Sequence, residues 1–509
     1  MYRHSGSPGS PSRLLIAVIA VILAAASALA GCVGPLGSPD GKAPGKAAAP
    51  RKPNIIFVLT DDLSWDLVEH MPRVQAMRRA GTTFGNFFVA DSLCCTSRAT
   101  MFTGRYPHNT GVRTNFPPDG GYGVFKARGG EQSSYAPALR AAGYRTGLMG
   151  KYLNGYQPDD AQGGPRPYVP PGWDEWHVAG NGYQEYGYNL NENGKLVHYG
   201  NRPQDYLTDV LAEKSVRFLQ QASADRKPFF LQVSTFAPHG PFVAAPRHAR
   251  AFPNLRAPRP PSFNEADNSD KPSWLRARPR LRAPGIARID AGFRDRVRMV
   301  QSVDEMIGRL QQTLAATGRD RDTYLVFGSD NGFHLGQYRL AGGKMTAFDT
   351  DVQVPYVVTG PGVPAGRGEG AFAQNTDLLP TFLELAGAAV PRGTDGRSLV
   401  PFLRGENPSG WRNVALVEHV KPPPSPQDPD RQDSGPGAPP TYNALRTQRE
   451  LYVEYVNGER EYYDLVRDPH ALVNRAGALP PQRREELAGL LYALKQCAGT
   501  SCATAGRTR

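Results

Sequence analysis

Asn54-Ile55-Ile56-Phe57-Val58-Leu59-Thr60-Asp61-Asp62 is an unbroken apolar run that stops abruptly on two carboxylates. A short run of this kind is the signature of a parallel strand buried on both faces, delivering polar side chains to one edge of a sheet. The pattern recurs along the chain. Residues 323 to 328 run through Ser329 into Asp330-Asn331, residues 228 to 236 lead to His239, and the stretch from Tyr144 to Met149 leads to Gly150-Lys151. Between these runs, Leu207 to Gln221 and Val297 to Thr313 place apolar residues at helical spacing. Strands alternating with helices predict an α/β fold with a large, mostly parallel sheet flanked by helices. Its site should lie beyond the carboxyl ends of the strands.

The rhythm changes after residue 405. Short strands at Tyr452 to Tyr455 and Glu461 to Leu465, then a helix from Pro481 to Leu494, predict a smaller C-terminal α+β domain over 406–509 after a catalytic domain over 53–405. Proline-rich stretches at 240–285 and 421–440 read as long loops, which over a rigid scaffold often shape a substrate entrance. There are no internal repeats.

At 509 residues, 40% hydrophobic and 21% charged, the chain is an ordinary globular protein, neither disordered nor fibrous. Its net charge of +12 suits anionic partners such as sulfated substrates, phosphate groups or membrane headgroups, and equally a basic solvated surface. No Cys-His zinc spacing, basic repeat or aromatic-interleaved basic patch supports nucleic-acid binding. Near the start, Arg3 and Arg13 precede an apolar run from Leu14 to Ala30, too short for a typical membrane span and shaped like a signal peptide over residues 1–31. The run ends in Leu29-Ala30-Gly31-Cys32, which resembles a lipobox and implies cleavage before Cys32 and acylation of that cysteine. The Gly-, Pro-, Ala- and Lys-rich segment 32–52 is then a flexible tether, and the mature chain is expected on the outer face of the cell membrane as a bacterial lipoprotein. Cys497 and Cys502 fit either a small disulfide, which export permits, or two free thiols.

Carboxylates gathered at buried strand ends are costly unless a cation or a proton neutralises them. Asp61, Asp62 and Asp330, with the amide oxygen of Asn331, form an oxygen-rich set that suits calcium or magnesium rather than zinc. Either pair alone would fit a turn or a helix cap; two pairs on two strand ends favour one divalent metal. The segment Leu93-Cys94-Cys95-Thr96-Ser97-Arg98 reads as a loop turning into a helix near Ser97. A nucleophile there would face the positive helix end, with Arg98 at hand for an anion. A tyrosine-phosphatase loop needs five residues between cysteine and arginine, whereas Cys94 and Arg98 have three between them. Two buried structural cysteines are the other reading.

These residues resemble the type I sulfatases of the alkaline phosphatase superfamily. The signature of that family, Cys-x-Pro-Ser-Arg followed by Thr-Gly, is matched by Cys94-Cys95-Thr96-Ser97-Arg98 and Thr103-Gly104, with Thr96 in the place of proline. The resemblance implies an alkaline-phosphatase-like sheet and conversion of Cys94 to formylglycine by a formylglycine-generating enzyme. It also implies a divalent metal, calcium or magnesium, on Asp61, Asp62, residue 94, Asp330 and Asn331. By the same resemblance Arg98, Lys151 and Lys344 contact the sulfuryl group and His239 is the general acid for the leaving alcohol. Asn109, Asn154 and His334 are candidates for contact with the sugar. Gly104-Arg105-Tyr106-Pro107-His108-Asn109 and Gly155-Tyr156 look most like the glucosamine-6-sulfatase branch, so the implied substrate is a 6-sulfated N-acetylglucosamine, a related sulfated sugar, or an aryl sulfate. Two rivals stay open at this point: a phosphomonoesterase or phosphodiesterase of the same superfamily, and a non-catalytic lipoprotein that captures sulfated glycans. His108, His177 and His198 read as loop or packing residues.

Overall fold

The structure, a computed structural model, describes residues 52–507 apart from residue 163 and residues 431–437. The signal-peptide segment, Cys32 and all but the last residue of the tether lie outside the described residues. No helix among the described residues is long and apolar enough to cross a membrane.

Strand Asn54–Thr60 sits in the middle of a ten-stranded sheet. It pairs in parallel with Thr323–Ser329 on one side and with Phe229–Ser234 on the other, and Arg145–Lys151 continues the parallel run beyond Phe229–Ser234. The four apolar runs of the sequence are therefore neighbours. Strands that the sequence did not announce complete the sheet: Glu175–Ala179, Tyr188–Glu192 and Leu196–Tyr199 extend one edge, and Tyr356–Thr359, Thr82–Phe84 and Arg367–Glu369 the other. The expected α/β architecture, mostly parallel at its centre, is what the structure has.

The alternation of side chains along Asn54–Thr60 explains the layering. Ile55, Phe57 and Leu59 enter a core shared with the helices Cys94–Thr103, Tyr135–Ala141 and Leu378–Ala386. Ile56 and Val58 face the opposite core, filled from Leu207–Ala224 and from the 34-residue helix Ala283–Ala316. That long helix begins inside the stretch expected to be a loop up to residue 285, because Pro284 at its start fits the first helical turn, where no intrahelical N–H is needed.

Toward the C-terminus, Val414–His419, Tyr442–Thr447, Glu450–Tyr455 and Arg460–Asp464 form an antiparallel sheet in chain order. Ala415, Val417, Ala444, Val453 and Tyr455 pack into the same core as Phe57. Leu416, Leu445 and Tyr452 on the other face are covered by Leu487, Leu491 and Leu494 of helix Pro481–Lys495. The described residues accordingly make one compact unit in which the small sheet shares its core with the large one. Cys497 and Cys502 are joined in a disulfide beneath that helix.

Buried Glu185 accepts hydrogen bonds from the backbone N–H and the hydroxyl of Thr208, both at 2.9 Å, in the first turn of helix Leu207–Ala224. Burial pushes its carboxyl up from 4.5 to about 8, against those two bonds. Between these two values the folded chain keeps a proton that the unfolded chain has released, so stability falls as pH rises through the window and is fully present below it. Glu185→Gln is expected to remove this component. The stability difference between wild type and variant should change by up to about 1.4 kcal/mol per pH unit between roughly pH 5 and 8 in denaturant titrations, and be flat below.

Candidate active site

The strand ends bring together the polar residues that end the apolar runs of the sequence. Asp61 and Asp62 follow Thr60, and Asp330 and Asn331 follow Ser329 on the neighbouring strand, all four fully buried or nearly so. Asp62 adopts φ 65°, a left-handed conformation costly for a residue with a Cβ. This turn lets its backbone N–H donate to Asp330 Oδ1 at 3.1 Å while its Oδ1 accepts from Asn331 Nδ2 at 2.7 Å and from Lys344 Nζ at 2.6 Å. Lys151, the last residue of its strand, reaches Asp61 Oδ2 at 2.5 Å. Gly150 before it has φ 101°, and a Cβ there would meet Ser234 O at 2.0 Å, so glycine is what lets the strand deliver the lysine.

The segment that carries Cys94 differs from expectation in one respect. The helix starts at Cys94 and not near Ser97, ending at Gly104, whose φ of 66° makes the left-handed C-cap. Leu93 offers no side-chain cap; instead Asn115 Oδ1 accepts from Cys95 N at 3.1 Å and satisfies one of the buried N–H groups at the helix start. This partner from outside the helix allows an earlier start than the local sequence indicates. Residue 94 thus lies in the first turn of a fully buried helix, and Arg98 one turn later lies on the same side.

Cys94 Sγ is 3.2 Å from Asp61 Oδ1, 4.0 Å from Asp62 Oδ1 and 2.7 Å from Lys344 Nζ. Burial, then Asp430 and Asp61, push its thiol well above the usual range, so unmodified Cys94 is held as a thiol and not a thiolate nucleophile. The lysines behave oppositely. Burial alone would lower Lys151 and Lys344, but Asp61 and Cys94 beside the first, and Asp430 and Asp62 beside the second, hold both well above the ordinary value. Asp61 itself is raised to about 6 by burial and by Asp330. Arg98 Nε donates to Asp330 Oδ2 at 2.7 Å, and with Lys151 and Lys344 it overcomes burial to keep Asp330 below the usual carboxylate range. Burial disfavours the charged form of His239, yet Asp62, Asp61 and Asp430 outweigh it and raise its pKa. Its Nδ1 bonds Gly240 O at 2.6 Å, leaving Nε2 turned to the cluster.

A divalent metal fits this donor set. Ligand atoms of Asp61, Asp62, Cys94 and His239 lie within 4.8 Å of one another. Asn331 Oδ1 is a buried acceptor with no hydrogen-bond partner among the described residues, and crowded buried carboxylates need a cation. Arg98 Nη2 is likewise buried without a partner among the described residues, a donor suited to an anionic oxygen.

The remaining candidates separate. Asn154 Nδ2 donates to the hydroxyl of Tyr183 at 3.4 Å; the Tyr183 ring lies 4.6 Å from that of His239 and 5.0 Å from Lys151 Nζ, so Asn154 adjoins the cluster. His334 is buried, with Nδ1 2.9 Å from Asp351 Oδ2, and its backbone pairs with Gly343, which positions Lys344. Asn109 donates to Asp395 Oδ2 at 2.8 Å and to Cys497 O at 2.9 Å, which ties it to the C-terminal turn. His108, His177 and His198 bond Glu418, Glu175 and Asn189 respectively, as loop and packing residues do. Three residues at the site had no signal in the sequence: Asn115, Tyr183, and Asp430 from the proline-rich stretch, whose Oδ1 is 2.8 Å from His239 Nε2 and 2.7 Å from Lys344 Nζ. Asp430 sits between prolines and a glycine-rich run, so only the tertiary contacts single it out.

Paired carboxylates fit for a hard cation, a buried cysteine at a helix start and converging cationic side chains on the ends of an α/β sheet are the arrangement a hydrolase of anionic esters needs. The chain matches the family described as Sulfatase over residues 53–388, and the family described as "N-sulphoglucosamine sulphohydrolase, C-terminal" over residues 338–482. It is 34% identical to the N-acetylglucosamine-6-sulfatase of Homo sapiens, over 98% of this chain and 92% of that protein, and 35% identical to that of Capra hircus, over 93% and 87%. Among solved structures it resembles BT4656 in complex with its substrate D-glucosamine-2-N,6-O-disulfate, with a TM-score of 0.71 and 24% identity over 87% of this chain and 97% of that one. The fold is also shared, at 22% identity and a TM-score of 0.65, with the phosphonate monoester hydrolase of Agrobacterium radiobacter, over 88% of this chain and 96% of that one. The chain belongs to the sulfatase family and is a sulfuric ester hydrolase.

Proposed function

We propose that this chain hydrolyses the 6-sulfate of N-acetylglucosamine or of a closely related sulfated sugar, using formylglycine made from Cys94 and one divalent metal, calcium or magnesium. The observation that carries this reading is the position of residue 94. It lies at the start of a buried helix, 3.2 Å from Asp61 and 2.7 Å from Lys344, with the unpartnered Arg98 Nη2 on the same helix. The substrate class rests on the glucosamine-6-sulfatases that match nearly the whole chain.

Asp61, Asp62 and residue 94, grouped with His239, would hold the metal together with Asp330 and Asn331 on the neighbouring strand end. Once bound, the metal would acidify the nucleophilic oxygen and neutralise the sulfuryl charge. Formylglycine would supply, as its hydrate, one hydroxyl to attack sulfur and a second whose proton loss expels sulfate, which serine or cysteine lacks. Arg98, Lys151 and Lys344 spread the charge of the sulfuryl oxygens. His239 Nε2, its pKa raised by the surrounding carboxylates, is the proton donor to the departing sugar oxygen. Asn154, bonded to Tyr183, and His334, paired with Gly343, adjoin the cluster and are the residues proposed to contact the sugar. Export by the leader and anchoring through acylated Cys32 would put the site outside the cytoplasm, where sulfated glycans are found.

A panel of 6-sulfated N-acetylglucosamine, other sulfated monosaccharides, nitrophenyl sulfate and nitrophenyl phosphate tests the substrate. The sugar 6-sulfate is expected to give the highest kcat/KM, and faster turnover of the phosphate than of every sulfate would overturn the reading. Chelation followed by metal return tests the metal. Activity should disappear and return with calcium or magnesium, and thermal stability should rise by about 2.7 kcal/mol at a hundredfold excess of metal over its Kd. Unchanged activity and melting after exhaustive chelation would remove the metal from the account.

A further inference from the structure

Asp430 is not part of the frame that the sheet builds. It comes from the long connection between strands Val414–His419 and Tyr442–Thr447, whose base is tied where Lys421 N donates to Thr441 Oγ1 at 2.9 Å. From there its carboxylate reaches the middle of the cluster. Oδ1 accepts from Lys344 Nζ at 2.7 Å and from His239 Nε2 at 2.8 Å; Oδ2 accepts from Asn115 Nδ2 at 2.7 Å and lies 3.4 Å from Cys94 Sγ. Asp428 steadies the arrangement, its Oδ1 accepting from Asn115 Nδ2 at 2.9 Å and from Asp430 N at 3.0 Å.

Lys344, His239 and residue 94 are the groups that must face a sulfate ester: a cation for the sulfuryl oxygens, the acid for the leaving oxygen, and the nucleophile. A carboxylate offers the same anionic, hydrogen-bond-accepting oxygens as a sulfate, and here both of its oxygens are engaged by these groups. Two anions do not share one set of donors. We propose that the segment carrying Asp428 and Asp430 is an internal strap whose Asp430 carboxylate occupies the seat of the sulfate group. Substrate then binds only when the strap withdraws. This inference rests on the proposed sulfate site and adds to it a competitor built into the chain. The alternative is that Asp430 stays in place during turnover and orients His239.

The test compares wild type with Asp430→Ala and Asp430→Asn, in protein shown by mass spectrometry to carry the same fraction of modified residue 94. A strap that is closed about nine-tenths of the time weakens every ligand of that seat about tenfold. Asp430→Ala is therefore expected to lower the KM for nitrophenyl sulfate about tenfold, to lower the Ki of inorganic sulfate by the same factor, and to leave kcat no smaller. Asp430→Asn, which keeps the size and removes the charge, should move both constants in the same direction and guards against a folding failure of the alanine variant. A fall in kcat with unchanged KM would assign Asp430 to orienting His239 and overturn the strap, as would unchanged or weaker sulfate inhibition. Should no sulfate ester be turned over, the substrate reading fails by itself. Calorimetric titration of inorganic sulfate into wild type and Asp430→Ala then still decides, tighter binding by the variant supporting the strap and equal or weaker binding overturning it.

Discussion

Cys94→Ala protein is expected to fold as wild type does and to lose sulfate-ester turnover by about 10^4-fold or more, as removal of a covalent nucleophile does elsewhere. The fold should survive because residue 94 is the first residue of its helix, alanine is a better helix former than cysteine, and the hydrogen bonds that fix the helix start come from Asn115 and from Ser97 N to Leu93 O. The loss should be in kcat and not in substrate binding, because Arg98, Lys151 and Lys344 remain. Cys94→Ser is expected to be equally inactive, since a single hydroxyl cannot expel sulfate from its own ester. Steady-state kinetics beside a thermal melt separate the two effects: an inactive variant with wild-type melting supports the account, and a variant that retains turnover removes residue 94 from the chemistry.

Arg98 makes the second large effect, and it combines stability with catalysis. Its guanidinium is fully buried, bonded at 2.7 Å to the equally buried Asp330 and at 3.2 Å to Lys151 O. Arg98→Met would leave the Asp330 carboxylate buried without its main cation, a situation that costs about 3–5 kcal/mol in comparable pairs. Denaturant titration should show that loss, smaller when calcium or magnesium is present, because the metal replaces part of the missing charge. Activity should fall even where the variant is folded, since Nη2 is the unpartnered donor available to a sulfuryl oxygen. Arg98→Lys should recover more of the stability than of the activity, because an ammonium supplies charge without the planar fork of donors. Equal recovery of both would mean that Arg98 acts only by holding Asp330.

Much of this was legible in the sequence, for identifiable reasons. Asn54 to Asp62 reveals both a strand and its function, because a strand buried on both faces must be continuously apolar and its end must be polar. Asp330, Lys151 and His239 follow from the same logic applied to neighbouring strands. The edge strands were not legible: Leu196–Tyr199 is only partly covered, and Thr82–Phe84 and Arg367–Glu369 are too short to show alternation. The helix start at Cys94 escaped because Asn115, which satisfies Cys95 N, lies outside the helix. Asp430 escaped because nothing local distinguishes an aspartate in a proline-rich connection; its meaning comes only from Lys344 and His239, some 86 and 191 residues away. Asn109 illustrates the converse. It stands in a stretch that resembles the glucosamine-6-sulfatases, and its amide ties that stretch to Asp395 and to the C-terminal turn.

In the proposed mechanism residue 94 works as an aldehyde, and in this chain Thr96 stands in the place of the family's proline. The direct measurement is mass spectrometry of the proteolytic peptide spanning Cys94 to Arg98, taken from protein whose sulfatase activity has been assayed in the same preparation. The expected result is an aldehyde at residue 94, trapped as a hydrazone by an added hydrazide, in a fraction that scales with specific activity across preparations. An intact Cys94 thiol throughout a preparation that turns over a sulfate ester would contradict it.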